Sequence, residues 1–217
     1  MLECKYIFFD LDGTVTDPRA GITRSVAYAL DRYGIHVEDT DSLCPFIGPP
    51  LNESFMNFYG FSYEESMKAV EVYRERFATI GLFENEEYPG VTELLSSLRA
   101  AGRHLAIATS KPEVFARRIL DHFGYTQYFD VIAGSELDGS RVHKDEVIEY
   151  ARRQLGSPDD SECLMIGDRE HDVMGAKRGG MKCIGVLYGY GSREELERAG
   201  ADFICADPFE VRSLILD

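Results

Sequence analysis

Positive charge is scarce in this chain. Its 217 residues hold 23 Lys and Arg against 38 Asp and Glu, a formal net charge of -15. A protein this acidic repels phosphate backbones and anionic headgroups, so neither nucleic acid nor membrane is expected as a partner. Long apolar runs are missing as well. No stretch approaches the roughly 20 residues that a bilayer span needs. The first strand-like segment begins almost at Met1, which leaves no room for a signal peptide and sets the expectation of a cytoplasmic protein. Paired cysteines are also lacking. Cys4, Cys44, Cys163, Cys183 and Cys205 are scattered without a C-x-x-C pair, which reads as reduced core thiols rather than a disulfide or zinc framework. There is no internal repeat and no low-complexity tract. What remains is ordinary for a globular chain, 44% hydrophobic and 28% charged, and long enough for one α/β domain with a small insertion.

Apolar strand-like runs alternate with helical periodicity over most of the sequence. Strands are expected at Tyr6–Asp10, Leu105–Ala108, Val131–Ala133, Cys163–Ile166, Cys183–Leu187 and Asp202–Cys205. Helices are expected near Val91–Ala101, Glu113–Phe123, Asp145–Leu155, Val173–Arg178 and Arg193–Ala199. Gly102, Gly124 and Gly156 follow helices as C-terminal caps do, and Ser192 with Glu195 fits a capping box. Such alternation implies a Rossmann-like parallel sheet with helices on both faces. One segment breaks it. From Asp17 to about Glu84 there is no strand signal, while Ile22, Val26, Ala29, Leu30 and Tyr33 recur at helical spacing, as do Tyr63, Met67, Val70, Tyr73 and Phe77. Ser62 and Glu65 form a second capping box, and Leu51, Phe55 and Phe58 suggest a shorter helix after Pro49-Pro50. The expected organisation is therefore an α/β core of residues 1–16 and 85–217, interrupted by an all-helical cap at 17–84.

Chemistry concentrates at the C-terminal ends of strands, where ligands bind in an open α/β sheet. Asp10 and Asp12 follow the apolar run Tyr6 to Phe9, spaced D-x-D with Gly13-Thr14 behind them. Two carboxylates there are costly unless a cation meets them. Thr109 and Ser110 end the run Leu105 to Ala108, and Lys111-Pro112 is read as opening the next helix. Hydroxyls and N–H groups at such a turn can cradle an anion. Lys144 sits at a helix N-terminus, where it opposes the macrodipole unless an anion is held nearby. Asp168 and Asp172 repeat the strand-then-carboxylate pattern after Cys163 to Ile166. No paired Cys/His spacing supports zinc at His143 or His171. Gly189-Tyr190-Gly191 lacks the dinucleotide-binding form, and Asp10 to Gly13 does not have EF-hand spacing. Two carboxylates, a hydroxyl, a lysine and a further carboxylate are the groups that phosphoryl transfer through an aspartyl intermediate requires.

At these residues the chain resembles the haloacid dehalogenase superfamily of phosphohydrolases. Asp10-Leu11-Asp12-Gly13-Thr14 is similar to its first motif, D-x-D-G-T. Thr109, Lys144 and Gly167-Asp168 to Asp172 resemble the second, third and fourth, in order. Phe46 to Leu51 and Ala108 to Pro112 are most similar to the phosphoglycolate phosphatase-like branch, which also contains nucleotidases. The resemblance implies a Mg²⁺-dependent phosphatase acting on a small phosphate ester. Asp10 would be nucleophile and metal ligand. Asp12 would be general acid/base, with its backbone carbonyl on the metal. Thr109 and Lys144 would hold the phosphoryl group, with Ser110 also on the substrate, and Asp168 would bind Mg²⁺, with Asp172 nearby as a ligand or as support for one. Arg169 departs from the family pattern, where a small hydroxyl residue is common. Substrate specificity is expected on the helical insertion, near Arg24, Phe46 to Leu51 and Asn52. A monomer or weak homodimer is expected. A phosphosugar mutase of the same superfamily and a non-catalytic phosphate-binding protein are the alternatives.

Overall fold

The computed structural model describes residues 2–217; Met1, assigned above to the core, lies outside them. The strands are β1 (Tyr6–Phe9), β2 (Thr16–Asp17), β3 (Glu86–Glu87), β4 (His104–Pro112), β5 (Val131–Ser135), β6 (Cys163–Gly167), β7 (Lys182–Val186) and β8 (Phe203–Cys205). β2 and β3 form a ladder of their own. The other six make one sheet in the order β5-β4-β1-β6-β7-β8, and every pairing in it is parallel. The strand order reverses on either side of β1 and β6, so the ends of these two strands flank the crevice where such sheets bind ligands.

The chain divides into two compact units, Met1–Asp17 with Glu87–Asp217, and Pro18–Glu86. The second unit is helical, with α1 (Arg19–Asp31), α2 (Leu51–Tyr59) and α3 (Tyr63–Phe77). α1 buries Ile22, Val26, Ala29 and Leu30, and α3 buries Ala69, Val70, Tyr73 and Phe77, the spacing of one helical face. Both halves of the Ser62–Glu65 capping box form. Phe46 and Ile47 are not surface groups of this unit. Both are buried, and the Phe46 ring packs 5.1 Å from Phe55. Arg76 and Arg24 converge on Glu84 at 2.7 and 2.8 Å.

The first unit adds α4 (Val91–Ala100), α5 (Glu113–His122), α6 (Lys144–Gln154), α7 (Glu170–Arg178), α8 (Arg193–Ala199) and α9 (Pro208–Leu216). Phe8 pairs in register with Ala106 and Met165, and all three join a buried cluster with Val147, Val173 and Leu196 of α6, α7 and α8. Ile7 and Phe9 point to the opposite face by strand alternation and are equally buried. The sheet is thus covered on both faces, as its continuous apolar strands require. All five cysteines are free, and Cys4, Cys163, Cys183 and Cys205 are buried. Among the described residues no helix is long and apolar enough to cross a membrane.

Three elements differ from the sequence expectation. β4 runs on to Pro112 with its register shifting between Ala108 and Pro112, a bulge rather than the helix start expected at Lys111. α7 begins at Glu170, three residues early, because Asp172 turns back to accept from the Arg169 N–H at 3.0 Å. α9 was not anticipated. Asp207 caps it by accepting from the Glu210 N–H, and Pro208 occupies its first turn.

Candidate active site

Asp10, Asp12, Lys111, Lys144, Asp168 and Asp172 are the buried charged residues among those described. Strand ends or the turns after them place Asp10, Asp12, Lys111 and Asp168, and the first turns of α6 and α7 place Lys144 and Asp172. Asp10 prolongs the β1 ladder by one residue, its N–H donating to Ile166 of β6 at 2.9 Å. Leu11 then accepts from the N–H groups of Thr14, Val15 and Thr16, which tightens the turn. Gly13 has φ 86, and a Cβ there would lie 2.3 Å from Asp168 Oδ2. Glycine is required both by conformation and by the approach of the two motifs.

Lys144 lies at the start of α6, against the helix dipole, as the sequence shows. Its ammonium has three acceptors: Asp10 Oδ1 at 2.8 Å, Asp172 Oδ1 at 2.8 Å and the Ala108 carbonyl at 3.1 Å. Burial alone would lower the Lys144 pKa, but Asp10 and Asp172 outweigh it and hold the amine above its ordinary value. The Leu11 N–H also donates to Asp10 Oδ1, at 2.7 Å. No hydrogen bond among the described residues reaches Asp10 Oδ2.

Asp12 is held by a residue that motif reading passed over. Lys111, in the β4 bulge, reaches Asp12 Oδ2 at 2.6 Å. Burial raises the Asp12 pKa, and the Lys111 cation pulls against that rise. Asp12 Oδ1 is buried with no hydrogen-bond partner among the described residues. Thr109 is buried and its hydroxyl accepts from the Lys111 N–H at 3.3 Å, while the Ser110 carbonyl accepts from the Ser135 hydroxyl at 2.8 Å.

Asp168 is fully buried at the end of β6 and accepts from the Tyr190 N–H at 2.8 Å and the Thr14 hydroxyl at 3.3 Å. Burial, then Asp172 and Asp10, push its carboxyl well above the usual range. Burial also raises Asp172, with Lys144 opposing. One oxygen each from Asp10, Asp168 and Asp172 lie within 4.8 Å of one another. The Asp12 carboxylate is turned to Lys111 instead. Arg24 belongs to the helical unit, where it pairs with Glu84 at 2.8 Å.

The charge count is informative. Counted as ionised, four buried carboxylates face two buried ammoniums, a formal excess of two negative charges. A divalent cation would neutralise that excess, and the donors are all hard oxygens. Magnesium ligands at about 2.1 Å lie roughly 3 to 4.2 Å apart, so three carboxylate oxygens within 4.8 Å of one another fit such an ion with little adjustment.

Two further features depart from the motif reading. Gly189-Tyr190-Gly191 borders Asp168, and a Cβ at Gly191 would fall 1.9 Å from the Asp168 carbonyl oxygen. The Ser192 box forms only in part. Ser192 accepts from the Glu195 N–H, but the Glu195 carboxylate is taken by Arg169 Nε at 2.8 Å and the Glu170 N–H at 2.9 Å.

The family model for haloacid dehalogenase-like hydrolases matches residues 7–186. The chain belongs to that family. Among relatives of this hydrolase, a 5'-nucleotidase of Pseudomonas aeruginosa is 51% identical over 209 residues, 96% of this chain and 94% of that protein. The tyrosine-protein kinase PtkA of Mycobacterium tuberculosis is 40% identical over 198 residues, 91% of this chain and 67% of that protein. The crystal structure of a predicted phosphatase from Clostridium acetobutylicum superposes with a TM-score of 0.95 at 49% identity, covering 100% of this chain and 99% of the other. Family membership makes the chain a hydrolase, and the comparisons cover both units of it.

Proposed function

We propose that this hydrolase is a Mg²⁺-dependent phosphatase that cleaves small phosphate monoesters through a phosphorylated Asp10. The observation that carries this reading is the buried set of four carboxylates and two lysines at the ends of β1, β4 and β6 and in the first turns of α6 and α7. The 51%-identical relative points to nucleotides as the first substrates to try.

Asp10, Asp168 and Asp172 would hold the cation, together with the Asp12 backbone carbonyl. Once bound, it neutralises the two uncompensated charges and draws electron density from the phosphoryl oxygens. Asp10 attacks phosphorus through Oδ2, the oxygen left without a hydrogen bond, while Lys144 and the Leu11 N–H hold Oδ1. The ester P–O bond breaks as Asp12, whose carboxyl is pushed up by burial against the pull of Lys111, gives a proton to the leaving oxygen. The Asp12 carboxylate, steadied by Lys111, then takes a proton from water. That water attacks phosphorus, the bond to Asp10 breaks, and inorganic phosphate leaves. Thr109 and Ser110 border the phosphoryl group. Two positive side chains give an anionic substrate a local destination inside a protein of net charge -15.

The helical unit, entered after β2 and left at β3, is the natural seat of substrate selection. The test is a panel of phosphate esters, with nucleoside monophosphates and phosphoglycolate included, assayed with Mg²⁺ and with chelator. Hydrolysis that stops on chelation is expected. Activity that survives complete metal removal, or ATP-dependent phosphorylation of a tyrosyl peptide without ester hydrolysis, would overturn the proposal.

A further inference from the structure

The segment Tyr188-Gly189-Tyr190-Gly191 follows β7 and wraps Asp168 closely. A Cβ at Gly189 would lie 2.3 Å from the Gly13 carbonyl oxygen and 2.4 Å from Asp168 Cβ. Glycine on both sides therefore lets the Tyr190 N–H approach within 2.8 Å of Asp168 Oδ2. This bond matters because Asp168 is otherwise weakly held. It is fully buried, no Lys or Arg pairs with it among the described residues, and its second bond, from Thr14, spans 3.3 Å.

The other end of Tyr190 points to the two chain crossings. Its hydroxyl donates to the Asp17 carboxylate and is hydrogen-bonded to the Tyr88 hydroxyl. Asp17 is the last residue of the α/β unit before the chain leaves it, and Glu87 is where the chain returns, one residue before Tyr88. Tyr188 braces the same loop. Its hydroxyl donates to the Thr14 carbonyl at 3.0 Å, and its ring meets Tyr88 edge-on with centroids 5.0 Å apart.

We propose that Tyr190 is a positioning residue, whose hydroxyl clamps the loop to Asp17 and Tyr88 so that its N–H aims Asp168 at the cation. A shift of either crossing segment can reach Asp168 through this side chain. The inference rests on Asp168 being a cation ligand, as proposed above. Groups that orient metal ligands are worth about 10- to 100-fold in metal affinity. Removing the hydroxyl leaves the N–H in place but unanchored, so the lower end applies.

The test is calorimetric titration of the full-length protein with Mg²⁺ alone, comparing wild type with Tyr190→Phe. The variant should bind Mg²⁺ about 10-fold more weakly while melting in chelator within a few degrees of wild type. About 10-fold more Mg²⁺ should restore its hydrolysis rate, as a purely structural defect would not. If Tyr190→Phe fails to fold, Asp17→Ala, which removes the acceptor, reads the same link from its other end and should weaken Mg²⁺ in the same way. Equal affinity of wild type and variant overturns the role of Tyr190 and leaves the metal centre standing. A wild type that takes up no Mg²⁺ overturns the metal centre, and this inference with it.

Discussion

Lys144→Met and Asp168→Asn should move stability in opposite directions when metal is chelated. Lys144 compensates Asp10 and Asp172, each at 2.8 Å, in a site where all three are buried. Removing one partner of a buried ion pair typically costs about 3–5 kcal/mol, because the remaining charge is stranded. A chain of this length loses roughly 2–4 °C per kcal/mol, so Lys144→Met should lower the melting temperature by roughly 6–20 °C. Asp168→Asn does the reverse. It removes a buried charge that has no cationic partner, and the amide can still accept from Tyr190 and donate to Thr14. A gain on the order of 1 kcal/mol is expected. The pH dependence has a definite sign. Burial and its acidic neighbours raise Asp168 in the folded state, so its contribution to stability is full below about pH 3.9 and fades as pH rises. The advantage of Asp168→Asn over chelated wild type should therefore widen as pH rises above about 3.9. Mg²⁺ at about 100 times its Kd adds about 2.7 kcal/mol to wild type and much less to Asp168→Asn. Calorimetric melts of the three proteins, with chelator and with Mg²⁺, check this. A Lys144→Met protein as stable as wild type in chelator, or an Asp168→Asn protein less stable, would refute the reasoning.

Asp10→Asn should abolish turnover, since an amide is not a competent nucleophile. Asp12→Asn should slow an alkyl phosphate by about 10²–10⁴-fold but slow the first step on an activated ester much less, as single-turnover kinetics would reveal. In the helical unit, hydrogen bonding to Arg76 leads in holding Glu84 below the ordinary carboxylate range, with Arg24 assisting against burial. A depressed folded pKa stabilises above the unfolded value and loses that effect as pH falls. Melts across about pH 6 to 3 should show a fall below about 4.3, and Glu84→Gln should abolish this component. Replacing Pro18–Glu86 with a short linker should impair hydrolysis of small metabolites more than of an activated ester. A truncated, folded protein that kept the full substrate preference would remove the cap role.

The α/β core was legible because its strands are buried on both faces. Tyr6 to Phe9 and Cys163 to Ile166 appear as unbroken apolar runs, and carboxylates after such runs stand out. Lys144 was legible because it opposes a helix dipole, a cost that makes sense only beside anions. Lys111 was not, because a Lys-Pro pair looks like a helix start. The bulge that aims it at Asp12 depends on pairing with β5, which local sequence does not encode. The glycines at 189 and 191 were set aside for lacking a nucleotide-binding form. Their use is close approach to Asp168, from a residue more than 20 positions away, and spacing alone carries no trace of that. Glu195 shows the same limit: its local partner was readable, but Arg169 won its carboxylate.

If Asp10 is the nucleophile and Asp12 activates the hydrolytic water, an Asp12→Asn protein given an activated ester should be phosphorylated but not released. Rapid acid quench with radiolabelled substrate and Mg²⁺ should leave about one phosphoryl group per chain. The label should lie on the Asp10 peptide, be discharged by hydroxylamine, and be absent with chelator or in Asp10→Asn. Inorganic phosphate formed with no labelled protein, or label on any other residue, would contradict it.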